Sequence, residues 1–525
     1  MTSLLLLGTA LAATGHHHTP AETLTKQALY DSVIAHFDPA IASPSLTDRF
    51  ACGTGAVQQL KDHWDWFDPA ERAELTDLVA PWKQDLLEEL PGTPAPPPGA
   101  GPSDTCFGQF AKNRHNTEHF GIEWDDSNID WDDIEDFGEA LEESWQVQVE
   151  ERGWEAPYKT DQYKLLVYVD GSNYAGAYTT VDNCNGVYVA YIVTGNGIFW
   201  GDWYQDLAAH EFNHASQFAY GYGHEFYFWE ATATYIEEQS FPDHDAWAPY
   251  IAGYTDNPWI ALNASSQSST EIFSHMYAMA ILNFHLDEYW GGEDMSRQLW
   301  EYAKDFPRTV YELYLPDVLE DLGYDWDEIY TGFMAANSVM DYREGHLMGR
   351  IDKLDWVDVL PLTGFSERDT KPENLGQNYW RIDGNAYESD EPDLYLHFEG
   401  GLGAEWKVLL VGTSGDTVQR IVEAEVVDGE ENEETLEAFM PDWGEHADVW
   451  VVMSPTVQGY DDAYSYAFDL WAEPAPEPEI EEEVPVESDD GEAAIFGSCS
   501  TTPAGTASGW LAVLGLAGLL VRRPR

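Results

Sequence analysis

The spacing of apolar positions divides the chain into stretches of different period. Helical spacing runs through Thr23 to Phe37, Ala56 to Trp66 and Pro81 to Leu90, the last opening on a proline suited to a first helical position. This N-terminal block, residues 20–90, ends at a Pro/Gly-rich stretch, residues 91–104, that reads as a linker. Beyond it, Ile134, Phe137, Leu141, Trp145 and Val149 keep helical spacing, while Tyr163 to Val169 and Val187 to Val193 read as strands. Trp203, Leu207, Phe212, Ala215 and Phe218 form the apolar stripe of a further helix, with Asp202 as its cap and Gly221 and Gly223 at its end. Helix-like segments follow at Trp229 to Glu238, His275 to Tyr289, Ser296 to Ala303 and Trp326 to Asn337. The second of these is apolar nearly all round, as a buried helix is.

Near Pro372 the texture changes to short alternating runs: Leu394 to Phe398, Trp406 to Val411, Val418 to Val427, Val449 to Met453 and Tyr464 to Trp471. Such runs between Gly, Asp and Pro turns predict an antiparallel β-sandwich over residues 372–472. The fold class expected is therefore α+β, a mixed domain over residues 105–371 followed by that sandwich.

The two ends read differently. Residues 1–19 hold an apolar run, Leu4 to Leu11, and the small-x-small pattern Ala10-Leu11-Ala12, together a secretory signal peptide, followed by His16, His17 and His18. Residues 473–498 are rich in Pro and Glu without Lys or Arg, the composition of an extended tether. Residues 499–525 run from Cys499 through the apolar stretch Trp510 to Val521 to Arg522, Arg523 and Arg525. This order resembles a bacterial C-terminal sorting segment of the MYXO-CTERM type. The resemblance implies secretion across the inner membrane, contact of the segment with membrane and sorting machinery, and attachment at the cell surface or release after processing at Cys499.

Composition narrows the partners. A formal net charge of −72 with only 24 Lys and Arg argues against nucleic-acid binding, which needs cations against phosphate. The acids Asp125, Asp126, Asp130, Asp132, Asp133, Glu135 and Asp136 could bind calcium, although they lack the Gly and Glu of an EF-hand loop; a solvated acidic helix start is the competing reading. A monomer is expected. Cys52 and Cys106 flank the linker and are the expected disulfide, with Cys184 leaving other pairings open.

The stretch that demands a specific chemistry is His210-Glu211-Phe212-Asn213-His214. On a helix, residues four apart lie one above the other, so two imidazoles can converge on one metal ion while Glu211 stands beside a metal-bound water. Downstream, Trp229-Glu230-Ala231-Thr232-Ala233 sets an acid among small residues that let helices approach closely. Here the chain resembles the gluzincins, zinc peptidases of the thermolysin and aminopeptidase kind. The resemblance implies a small mixed sheet over a helical zinc-binding half, with His210, His214 and Glu230 as zinc ligands and Glu211 as general base. Glu237, two turns beyond Glu230 on the same face, is the alternative third ligand, or an acid that orients a ligand histidine. It also implies that a sheet edge above the cleft pairs with an extended peptide, and Val187 to Val193 is the candidate edge strand. Tyr277 or His275 is expected to stabilise the oxyanion.

The functional expectation is a secreted zinc metallopeptidase acting on peptide or protein substrates, an endopeptidase since no G-x-M-E-N segment is present. The rival reading is a non-catalytic surface adhesin, or a carbohydrate- or calcium-binding protein on a peptidase-like scaffold. A zinc hydrolase of non-peptide substrates is a third. Residues 20–90 fit either an inhibitory propeptide or a subdomain packed on the core.

Overall fold

The computed structural model describes residues 24–37, 52–88, 92, 101–102, 104–109, 111–126, 128–171, 176–201, 203–221, 225–265, 270–304, 315–386, 393–430, 433–456 and 463–473. The signal peptide, histidine run, most of the Pro/Gly stretch, the acidic tether, the sorting segment, Asp202, Gly223 and His224 lie outside the described residues.

The N-terminal block forms α1 (Lys26–Phe37), α2 (Thr54–Asp62) and α3 (Pro69–Val79). Of the helix expected over Pro81 to Leu90, the described residues 81–88 form turns instead, and α3 lies before them. Asp68 accepts hydrogen bonds from the backbone N–H groups of Ala70 and Glu71, Glu71 closes the reciprocal bond, and Pro69 occupies the first turn, so the helix starts there and Pro81 follows its end.

The mixed sheet consists of β1 (Asn113–Asn116), β2 (Phe120–Trp124), β3 (Leu165–Asp170), β4 (Ala177–Cys184) and β5 (Val187–Gly195), in the order β1-β2-β3-β5-β4. β2, β3 and β5 run parallel and the two outer strands antiparallel. The strand expected to form the edge, Val187 to Val193, is therefore interior. The edge on that side of the sheet is β4, joined to β5 by a two-residue turn at Asn185 and Gly186 with φ of 55° and 82°, the left-handed geometry that favours Asn-Gly.

Both faces of the sheet are buried, which is why its strands read as continuous apolar runs. Leu165, Val167 and Val169 face α4 (Trp131–Trp145) and α5 (Tyr204–Tyr220) in one cluster with Ile134, Phe137, Leu207 and Phe212. Leu166, Tyr168, Tyr191 and Val193 share the opposite cluster with Leu29, Val57, Leu60 and Val79 of the N-terminal block. The acidic run includes the helix start read from the sequence: Asp130 caps α4 through the N–H of Asp132, and Asp125 pairs with Lys112.

The helical half continues with α6 (Phe226–Ser240), α7 (Ala252–Thr255), α8 (Thr270–Ala278), α9 (Ala280–Leu286), α10 (Met295–Ala303), α11 (Leu315–Asp321) and α12 (Trp326–Asn337). Among these described helices none is long and apolar enough to cross a membrane.

The C-terminal strands are β6 (Asp355–Val357), β7 (Leu362–Phe365), β8 (Asn378–Asp383), β9 (Asp393–Gly400), β10 (Trp406–Ser414), β11 (Thr417–Glu423), β12 (Glu425–Glu430), β13 (Glu433–Met440), β14 (Asp448–Pro455) and β15 (Tyr466–Glu473). They form two open five-stranded sheets, ordered β11-β10-β14-β8-β6 and β12-β13-β9-β15-β7, antiparallel except for β6 beside β8. Val408, Leu410, Val449 and Val451 of the first share a core with Leu394, Leu396, Leu436 and Phe468 of the second, as face-to-face sheets require. The alternate residues Leu409, Val411, Trp450 and Val452 join the core of the helical half, so the first sheet is covered on both faces. The β region also starts earlier than expected, at Asp355.

Candidate metal centre

α5 carries His210, Glu211 and His214, and it is buried along nearly its whole length between the mixed sheet and α6. Gly221, with φ of 120°, ends it as expected, its N–H donating to the carbonyl of Gln217. Ala231 and Ala233 of α6 are fully buried, in keeping with close packing of the two helices. Glu230 and Glu237, seven residues apart on α6, both face α5.

Each histidine is held from behind. The Nδ1 of His210 lies 2.7 Å from Glu237 Oε1, and the Nδ1 of His214 lies 2.7 Å from Gln217 Oε1. The amide of Gln217 is fixed in turn, since its Nε2 donates to Asn213 Oδ1 at 2.8 Å and to the Trp229 carbonyl at 3.1 Å. An oxygen acceptor on each Nδ1 places the ring proton there and leaves a lone pair on each Nε2. The two Nε2 atoms nevertheless stand 3.1 Å apart, with Glu230 Oε2 3.2 Å from one and 3.5 Å from the other. Two lone pairs and a carboxylate oxygen pointed at one another repel unless a metal ion or a proton on one Nε2 lies among them. Without a metal the proton serves, since burial lowers the pKa of His210 but its bonds to Glu230 and Glu237 outweigh that and hold it up to about 10.

A fourth donor completes the group. Cys52 Sγ, from the N-terminal block, lies 3.3 Å from His214 Nε2, and the four donor atoms all fall within 4.8 Å of one another. Donors at ~2.0–2.3 Å around one tetrahedral ion are separated by about 3.3–3.8 Å, and four of the contacts here, at 3.1, 3.2, 3.3 and 3.5 Å, lie at or just below the lower end of that range. The residues present therefore fit a metal ion. Among the described residues Cys52 is a free, buried cysteine, and a disulfide joins Cys106 to Cys184. The expected Cys52–Cys106 bridge is corrected accordingly: the chain entering α2 carries Cys52 into the helical half, while Cys106 meets the end of β4.

Glu211 lies beside the group with one oxygen accepting from the Thr179 hydroxyl at 2.7 Å and the other, Oε1, without a hydrogen-bond partner. Burial raises the pKa of Glu211, against the pull of the two histidines. Burial acts in the same direction on Glu230, yet His214 and His210 outweigh it and hold that carboxyl down to about 2. Two neighbouring carboxyls are thus pushed apart in acidity, so one can stay ionised while the other can take up a proton.

Of the two oxyanion candidates, the structure brings one to the site. The Tyr277 ring stacks on His210 with centroids 5.8 Å apart, and its hydroxyl meets the backbone of Cys52, accepting from the N–H at 3.2 Å. Burial keeps that phenol protonated by raising its pKa well above the usual value. His275 is turned away, its Nε2 3.1 Å from the Ala261 carbonyl. Residues two apart on a helix point to opposite sides, so Tyr277 and His275 cannot both face α5. Cys52, Thr179 and Gln217 escape sequence reasoning; only Gln217, one helical turn after His214, carries a spacing signal.

No family model matches the chain, and no curated protein matches it. The centre stands on its own geometry.

Proposed function

We propose that this protein is a zinc-dependent metallopeptidase with His210, His214 and Glu230 as ligands and Glu211 as general base. The observation that carries the reading is the convergence of His210 Nε2, His214 Nε2 and Glu230 Oε2, 3.1, 3.2 and 3.5 Å apart, with the Glu211 carboxylate beside them. Nitrogen, sulfur and carboxylate donors in four-fold arrangement suit zinc over calcium or magnesium, which take oxygen. Zinc held there polarises a carbonyl and lowers the pKa of a water toward ~7.

The chain's own groups supply the rest. Glu211 Oε1 takes the proton of the attacking water and delivers it to the leaving amine, while the Thr179 hydroxyl holds Oε2 and so fixes the carboxylate plane. Tyr277 donates its phenolic hydrogen to the developing oxyanion. The outer edge of β4, against which residues 52–54 pack, lies next to Glu211 through Thr179, and an extended peptide added there in their place is read through its backbone, which supports an endopeptidase. Secretion and attachment through the C-terminal segment belong to the same proposal.

Glu211→Gln tests it. The variant is expected to keep its metal and lose at least about 1,000-fold in peptide hydrolysis, the scale of a general base. Peptidase activity retained in the metal-loaded variant sinks the mechanism.

A further inference from the structure

Resting on that reading, we infer that Cys52 is an autoinhibitory ligand and that the N-terminal block is a latch on the centre. Four observations converge. First, Cys52 Sγ stands among the ligand atoms, 3.3 Å from His214 Nε2, in the place a substrate carbonyl or water would need. Second, the centre is sealed: Cys52 and Glu230 are each 1% exposed and His214 is 0% exposed.

Third, the segment around Cys52 occupies the sheet edge. Cys52 forms a parallel bridge with Ala177 at the start of β4, the Gly53 N–H donates to the Ala177 carbonyl at 2.8 Å, and the Thr179 N–H donates to the Thr54 hydroxyl at 2.9 Å. These are the backbone positions that an incoming peptide would use. Tyr277 is engaged as well, since its hydroxyl is bonded to the Cys52 backbone. The block thus holds the metal position, the substrate edge and the oxyanion donor at once.

Fourth, the block is tied to the rest without a covalent bond beyond the chain itself. Lys61 and Lys83 both pair with Asp182 of β4, and the disulfide Cys106–Cys184 lies wholly beyond the Pro/Gly stretch. Among the described residues, a cut in residues 93–100 leaves only non-covalent contacts to hold the block in place. The arrangement is that of a precursor kept latent until its N-terminal segment is displaced.

The test uses the full chain, with metal removed by chelation and replaced by cobalt(II). Wild-type protein should show a thiolate-to-cobalt charge-transfer band in the near ultraviolet, and Cys52→Ser should bind one equivalent of metal without that band. A latch holding the closed form at about 99:1 predicts a roughly hundred-fold rise in peptidase activity for Cys52→Ser. Metal bound by the wild type without a thiolate band overturns the latch and leaves the peptidase reading standing. So does a folded, metal-loaded Cys52→Ser no more active than the wild type. Absence of metal from both proteins overturns the peptidase reading itself. If Cys52→Ser does not fold, as judged by circular dichroism, the wild-type cobalt spectrum alone decides.

Discussion

Glu237 offers the sharpest separation between a ligand and a residue that holds a ligand. Its Oε1 accepts from His210 Nδ1 at 2.7 Å, on the side of the ring away from Glu230, and both side chains are 4% exposed. Removing such a partner typically weakens metal binding 10–100-fold, about 1.4–2.7 kcal/mol. Glu237→Ala should fall at the upper end, because the buried Nδ1–H then loses its only oxygen acceptor at a cost of about 1–3 kcal/mol. Glu237→Gln keeps an acceptor oxygen and loses the charge, so it should fall near the lower end. Glu230→Ala deletes a donor from the centre and should exceed both. Zinc competition against a chromogenic chelator, with circular dichroism on each variant, reads the order directly. Equal losses for Glu237→Ala and Glu230→Ala would place Glu237 in the ligand set, and no loss at Glu237 would refute the orienting role.

Two further outcomes follow from buried charge elsewhere. Burial lowers the pKa of His275 to about 4 and of His285 to about 3, so both are neutral in the fold. Their contribution is fully present above the ordinary value near 6.5 and is lost as pH falls toward 4, amounting to about 2 kcal/mol each at pH 5. His285→Gln should therefore lose less stability than wild type between pH 7.5 and pH 5 in thermal scans; parallel curves would show that His285 does not titrate with unfolding. Asp182 is 11% exposed and faces Lys61 and the fully buried Lys83. Asp182→Ala leaves two buried ammonium groups without their carboxylate and should cost about 3–5 kcal/mol in denaturant unfolding. A change below about 1 kcal/mol would mean that water replaces the pair.

Much of the helical half is legible because long amphipathic runs carry their own period: Trp326 to Asn337 is a helix at those residues, and the helix of His210 and His214 ends at Gly221 as its glycine indicates. Asn185-Gly186, which the strand reading passed over, is the turn of a hairpin. Its first strand was hidden, because Ala177 to Cys184 mixes Thr, Asp and Asn with apolar residues, and that strand turned out to be the edge. Pro81 illustrates the opposite error. A proline fits a helix start and a helix stop equally well, and the capping pair Asp68 and Glu71 decides for a helix that ends before it.

At the centre, spacing reveals contacts within one helix and says little about contacts between distant segments. His210 and His214 are one turn apart and Glu230 lies on the next helix, so local pattern reaches them. Cys52 stands 162 residues before His214 and arrives by tertiary packing of the N-terminal block on the sheet. A cysteine ahead of a linker in an oxidising setting suggests a disulfide on general grounds, and only the fold shows it beside two imidazoles.

The most direct measurement of the central claim is the metal content of the purified full chain, by elemental analysis, beside His214→Ala and Glu230→Ala. About one zinc per chain in the wild type, sharply reduced in both variants, is the result predicted. A wild-type chain purified without chelators that carries no zinc, or zinc unchanged in both variants, contradicts it.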